Sequence, residues 1–291
     1  MIDQLFQFLI SGITVGSVYA LVGLGFTIIY NASDVVNFAQ GEFVMIGAMS
    51  AIFLYGAGVP YVLALVAAVL ITMVVGMLLE KLAIEPAKNA SVVTTIIITI
   101  GASIFLRGAA LLIWGKDIYG LPPFTKDVPI SIGNATLLPQ NLYVMGGTAL
   151  SVLLVRYFFD RTMTGKAILA CSCNRKAAAL VGINVNRMLL IAYGVSALLG
   201  AVAGILVTPI TYTSYDSGVM LGLKGFCAAI LGGMGSSMGA VAGGLLLGVI
   251  ESLGAGIISS GYKDAIAFIV ILGVLFFKPG GLLGQADSER V

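Results

Sequence analysis

Apolar runs close to twenty residues long recur from one end of this chain to the other, separated by short polar breaks. Each is long enough to cross about 30 Å of hydrocarbon as a helix. Inside a bilayer every backbone N–H and C=O must be bonded within the protein, so spanning segments are helices or closed barrels, and runs of this length point to helices. Composition agrees. The chain is 59% hydrophobic and 10% charged, where a soluble domain carries about 25% charged residues, and its mean hydropathy is +1.08. So few charges cannot cover a globular surface. The expected fold is an all-α polytopic membrane protein, one integral domain over residues 1–291. Spans at about 5–29, 36–56, 60–84, 92–114, 141–159, 188–211, 219–236, 238–260 and 263–278 give about nine transmembrane helices, within a range of eight to ten. Gly222, Gly225, Gly232, Gly233 and Gly235 interrupt the run 219–236, which is a candidate broken or re-entrant helix.

The polar stretch from Arg156 to Arg187 sets the orientation. It holds Arg156, Arg161, Lys166, Arg175, Lys176 and Arg187, six of the fifteen basic residues, with Asp160 as its single acid. Short basic loops stay in the cytoplasm. Counting spans backward puts Lys88 inside and the N-terminus, with Asp3, outside; counting forward puts Lys278 and Arg290 inside. The N-terminus lacks the basic region of a cleaved signal, so the first apolar run reads as a retained helix. The one long outward loop, Gly115 to Gln140, carries Pro122, Pro123, Pro129 and Pro139 with balanced charges at Lys116, Asp117, Lys126 and Asp127. Val128 to Leu138 alternates around Gly133-Asn134, the pattern of a small hairpin. The loop reads equally as a connecting cap and as a docking surface for an external partner.

Several function classes drop out. Histidine is absent, Cys171, Cys173 and Cys227 are too few for a disulfide framework, and no G-x-x-x-x-G-K-[ST] phosphate loop is present. No metal, no cofactor and no enzymatic chemistry is expected, and a net charge of +2 argues for no nucleic-acid partner. Glycines at spacing four, Gly12/Gly16, Gly200/Gly204, Gly235/Gly239/Gly243 and Gly244/Gly248, make smooth helix faces on which other helices pack closely.

Ionisable groups inside apolar stretches are costly and usually face a cavity or a partner. Asp34, Glu42, Arg107, Asp216, Lys224 and Glu251 are such groups. The first cluster comprises Asp34, Asn37, Phe38, Gln40 and Glu42. Ser33 or Asp34 is placed to cap the second helix, and a helix start at membrane depth aims N–H groups at an anionic carboxylate. Asn37, Gln40 and Glu42 then contact an ammonium group or line a wet path; the competing reading is a tight turn before a helix whose polar face packs inside the bundle. Lys224 and Glu251 join Asp34, Asn37, Phe38, Gln40 and Glu42 as substrate-path candidates; the competing reading is a buried structural pair across two helices, and Arg107 is expected to snorkel outward. In the basic stretch, two short helices are expected, with Asn174 as an N-cap and Gly182 just past a C-terminus. Small residues at Ala170 and Ala177 to Ala179 suit a partner groove closing on the element, and an interfacial helix on anionic lipid is the alternative.

These residues together resemble the membrane subunit of branched-chain amino-acid ABC importers, the LivH-type permeases. The resemblance runs through Gly23-Leu24-Gly25-Phe26-Thr27-Ile28-Ile29-Tyr30, Val36-Asn37-Phe38-Ala39-Gln40-Gly41-Glu42-Phe43, Leu180-Val181-Gly182-Ile183-Asn184, Ala229-Ile230-Leu231-Gly232-Gly233-Met234-Gly235-Ser236 and Lys278-Pro279-Gly280-Gly281-Leu282-Leu283-Gly284. It implies a multi-pass protein of a bacterial plasma (inner) membrane. It also implies a second homologous permease subunit, two cytoplasmic ATP-binding subunits, an extracytoplasmic binding protein and an amino-acid substrate. Residues 160–187 then look like the coupling loop that seats in the ATPases, with Gly165, Lys166, Ala170, Asn174, Arg175, Lys176 and Gly182 as its candidate contacts. The chain departs from the family pattern at Leu169, Cys173 and Asn174, where a basic residue and acidic residues are usual; this shifts the expected coupling onto Arg175 and Lys176. Apolar lining by Phe38, Phe43, Met45 and Phe226 suits an apolar side chain. Related permeases for urea, amides or other small nutrients, a secondary carrier using Asp34 with Glu42, and a non-transporting scaffold are the competing readings.

Overall fold

The computed structural model describes residues 2–87, 90–125, 128–132, 135–257, 259–278 and 280–283. Lys88, Lys126, Asp127, Gly133, Asn134, Pro279, Gly284 and Arg290, named above, lie outside the described residues. The nine expected spans correspond one for one to nine helices: α1 (Ile2–Ser33), α2 (Gln40–Gly56), α3 (Tyr61–Leu79), α4 (Val92–Trp114), α5 (Pro139–Arg161), α8 (Val185–Thr211), α9 (Ser217–Gly232), α10 (Ser237–Ile257) and α11 (Lys263–Phe277). Between α5 and α8 lie α6 (Met163–Cys173) and α7 (Arg175–Leu180), the two short helices expected in the basic stretch. Among the described residues, seven helices, counted with the turns that extend them, are long and apolar enough to cross a bilayer. The chain is therefore an all-α polytopic membrane protein. The other two, α2 and α9, have 17 and 16 residues, about 24–26 Å of helix, short of the hydrocarbon thickness.

Their shortness follows a pattern. A long helix, an irregular connector, a short helix and two further helices occur in that order from α1 to α4 and again from α8 to α11. Both connectors begin at a non-glycine residue in the left-handed region: Asp34 at φ 54° and Tyr212 at φ 57°. Four spans, α2 to α5, lie between α1 and α8, so the halves run in opposite directions. The packing is reciprocal: α2 lies on α8 and α9 on α1, while α3 lies against α2 and α8, and α10 against α9 and α1. This is an inverted repeat with two short helices in corresponding positions, the arrangement that places transport sites at mid-membrane.

The short helices meet near their N-termini. A Cβ on Gly41 would overlap the Gly218 carbonyl and come within 2.7 Å of the Gly222 Cα. The run 219–236, a candidate broken or re-entrant helix, is helical from Ser217 to Gly232 and interrupted from Gly233 on. Its glycines serve close approach, and it stops at Gly233, φ 103°. Around this junction α1 and α8 form the core, with Phe26, Tyr19 and Tyr193 fully enclosed. Phe43 and Met45, expected to line a path, are wholly buried; Phe43 fills the space left by Gly200 and Gly76. The Gly12/Gly16 and Gly244/Gly248 pairs lock α1 against α10 at backbone contact.

Two sequence blocks far apart in the chain join at the end of the bundle that carries the basic segment. Leu282 and Leu283 N–H donate to the Leu231 and Gly232 carbonyls, at 2.8 and 3.0 Å, satisfying acceptors that the last turn of α9 leaves open. Asn31 Nδ2 donates to the Gly235 carbonyl at 2.9 Å. At the opposite end the expected hairpin forms, β1 (Ile130–Ile132) against β2 (Ala135–Leu137). Gln7 holds it through both the N–H and the C=O of Thr136, and Tyr119 bridges to Thr213 in the second connector.

Adding one methyl group at the junction tests this packing. Gly41→Ala is expected to destabilise the protein by about 1–3 kcal/mol. Gly101→Ala, which meets nothing within 4 Å, is expected to be neutral or slightly stabilising; thermal unfolding in detergent distinguishes the two.

Candidate functional site

The first connector carries the polar cluster read from the sequence, and the structure divides it. Asp34 sits at the inner end of α1, its side chain 73% exposed. Asn37, Gln40 and Glu42 are fully buried. Neither Ser33 nor Asp34 caps α2, contrary to expectation. Helix α1 runs on through Ser33, whose hydroxyl bonds back to the Ile29 carbonyl, so both residues belong to the end of α1. Ala39 occupies the N-cap of α2 without a side-chain bond, and Asn37 Oδ1 accepts from the Ala39 N–H at 3.1 Å. Asp34 and Glu42 do not share a site, which removes the paired carboxylates a secondary carrier would use.

Gln40 ties three elements. Its Nε2 donates to the Ser196 carbonyl at 3.2 Å, and its Oε1 accepts from Ser196 Oγ at 2.6 Å. The same hydroxyl lies 2.8 Å from the Gly25 carbonyl. Glu42 accepts from Ser103 Oγ of α4 at 2.8 Å. Its other oxygen, Oε2, is buried with no hydrogen-bond partner and lies 2.8 Å from where a Cβ on Gly218 would stand. Beside this corner is a cavity of about 240 Å³ between α1, the first connector, α4 and α9, walled by Phe26, Phe38, Ser103, Arg107, Gly218 and Phe226. The Phe38 and Phe26 rings pack on Phe226, with centroids 5.4 and 5.6 Å away. Arg107 borders this cavity rather than simply snorkelling outward, a placement that its position near a helix end concealed.

Lys224 and Glu251 pair as expected, at 2.8 Å, within a larger network. Lys224 Nζ also contacts Asp264 Oδ1 at 2.6 Å and Lys263 Nζ contacts Glu251 Oε1 at 3.1 Å. Tyr19 donates to the same oxygen at 3.2 Å, its ring centroid 5.5 Å from Lys224 Nζ. Two positive and two negative charges neutralise one another, so this cluster fastens α9, α10 and α11 to α1. The sequence reading missed Lys263 and Asp264 because they begin a helix, where charge is ordinary.

The basic segment is built by local capping. Thr162 Oγ1 accepts from the Gly165 N–H to start α6, and Asn174 Oδ1 accepts from the Ala177 N–H to start α7. Gly182, φ +88°, closes α7 with the Gly182 and Ile183 N–H groups on the Ala179 and Ala178 carbonyls. Gly165 is buried against the Phe158 carbonyl, where a Cβ would overlap it, and Ala170 is half-buried. Lys166, Asn174 and Lys176 are exposed, as are Leu180 and Val181, at 88% and 77%. Arg175 turns back into the protein. It donates to the Ala32 carbonyl at 2.9 Å and lies 3.7 Å from Asp34, a cation at the C-terminal end of α1 where the helix dipole favours it. Cys171 is buried, which pushes its thiol above the usual range, whereas Cys173 is exposed.

The chain matches the family described as branched-chain amino acid transport system, permease component, over residues 8–275. It is 34% identical to the high-affinity branched-chain amino acid transport system permease protein BraD of Pseudomonas aeruginosa, over 98% of this chain and 97% of that one. It is 33% identical to the permease protein LivH of Escherichia coli K12 over the full length of both. Among solved structures it is similar to PsaBC from Streptococcus pneumoniae in complex with Fab, with a TM-score of 0.51 and 16% identity, covering 94% of this chain and 92% of that one; this likeness is one of fold.

Two outcomes check the geometry. Lys224→Met is expected to cost about 1–3 kcal/mol, because Glu251 loses its buried cation but keeps Lys263 and Tyr19, and Lys224→Met with Glu251→Met to recover part of it, read by thermal unfolding. Arg175→Met is expected to speed amide exchange in α7 and at residues 32–36 while leaving α10 unchanged.

Proposed function

The chain belongs to the branched-chain amino acid transport system permease family, and from that premise we propose that it is the membrane-spanning subunit of an ATP-driven importer of branched-chain or other apolar amino acids. In this reading it sits in a bacterial inner membrane, beside a second related permease. Two cytoplasmic ATPase subunits hydrolyse ATP, and an extracytoplasmic binding protein delivers substrate. The chain itself supplies a path and a handle. Full-length identity to permeases of that transport system carries the proposal.

The handle is the segment from Thr162 to Asn184. Exposed Leu180 and Val181 beside exposed Lys176 make an apolar tip with a basic flank, which suits a partner surface better than water. Arg175 clasps the end of α1 at the start of the first connector. Displacement of α7 by the ATPases is thereby carried to residues 34–39, and on to the buried corner at Asn37, Gln40 and Glu42. The path runs by that corner, through the space between α4 and α9. Lysine and glutamate at 224 and 251 act as an anchor outside it.

Lys176→Glu combined with Leu180→Asp tests the handle. Membrane insertion and thermal stability are expected to stay at wild-type levels, while the ATPase subunits no longer co-purify through a tag on this chain and ATP-dependent leucine uptake is lost. Undiminished uptake would remove the docking role.

A further inference from the structure

The cavity beside Glu42 combines three features whose coincidence neither the packing nor the anchor explains. The first stands behind the cavity wall rather than in it: Glu42 Oε2, on a residue 1% exposed, has no hydrogen-bond partner among the described residues. The second is a committed hydroxyl. Ser103 gives its proton to Glu42 Oε1, so the Oγ lone pairs are what it offers to the cavity it borders. The third is Arg107, one helical turn from Ser103 on α4, which forms no ion pair or hydrogen bond among the described residues. An unpaired guanidinium facing a cavity within a spanning helix is expensive unless something anionic arrives. At the other side of the same space stand the rings of Phe26, Phe38 and Phe226. The volume, about 240 Å³, is below the usual range for drug-sized ligands and suits a small molecule.

We propose that this cavity is a subsite for a zwitterionic α-amino acid with an aliphatic side chain. Arg107 takes the carboxylate in a charge-assisted pair. The ammonium donates to Ser103 Oγ, with the negative charge of Glu42 directly behind it. The three phenyl rings enclose the side chain. Glu42 acts through Ser103 and is a positioning residue, while Arg107 and Ser103 touch the ligand. The assignment rests on the importer reading for its substrate class and adds which atoms select it. A neutral amide or urea leaves Arg107 unpaired in the membrane, which disfavours such cargo.

The test uses the complete permease–ATPase complex in lipid nanodiscs without binding protein, and the full system for uptake. Millimolar L-leucine is expected to raise the unfolding temperature of the complex. L-leucinol, which lacks the carboxylate, and 4-methylpentanoate, which lacks the ammonium, are expected not to. Arg107→Gln should abolish protection by leucine and cut leucine uptake at least about tenfold, while the ATPase subunits still co-purify with the permease; Arg107→Lys should restore part of both losses. Absence of protection in the wild type, equal protection by leucinol, or leucine protecting Arg107→Gln as well as the wild type would each overturn the subsite. If the wild-type system imports leucine and Arg107→Gln imports it equally fast, the subsite alone falls. If the wild-type system imports no apolar amino acid, the importer reading falls and the subsite with it.

Discussion

Backbone-to-backbone contact between α2 and α9 is the constraint on which the rest of this molecule depends. Lipid supplies no hydrophobic drive between helices, so a short helix stays at mid-depth only if its neighbours approach closely enough for dispersion to hold it. Gly41 against Gly218 and Gly222 provides that approach. Once the two helix starts lie together, their surroundings follow. Open N–H groups and the polar side chains nearby need partners in a place without water. Gln40 finds Ser196 and Glu42 finds Ser103. What remains unsatisfied there, Glu42 Oε2 and the free guanidinium of Arg107, is then informative.

The helical architecture was largely legible in the sequence, because twenty-residue apolar runs admit few structures. Asn174 and Gly182 were also legible, since caps depend on residues a few positions apart. The inverted repeat was not. Its halves are related by connector geometry, a left-handed turn at Asp34 and another at Tyr212, and neither residue type announces that conformation. The sequence signal that existed was two glycine-interrupted apolar runs, 36–56 and 219–236, at corresponding positions among the spans.

The candidate site was legible by composition and misread by geometry. Asn37, Gln40 and Glu42 stood out as polar residues in apolar surroundings, and the structure gathers them in one buried corner. Asp34 belonged to a different job, at the inner end beside Arg175. Phe43 and Met45 looked like lining because they neighbour the cluster in sequence, but on a helix adjacent residues face different ways, and these two face the core. Ser103 and Arg107 went unread as site residues because their relation to Glu42 is purely spatial.

The twin corners at Asp34 and Tyr212 also bear on energetics. Each holds a side-chain-bearing residue at positive φ, at a cost of about 1–3 kcal/mol. Each also stands where a long helix gives way to a short one, α1 to α2 and α8 to α9. Such strain persists only while the surroundings hold it, so the glycine contacts that seat the short helices also keep both connectors bent.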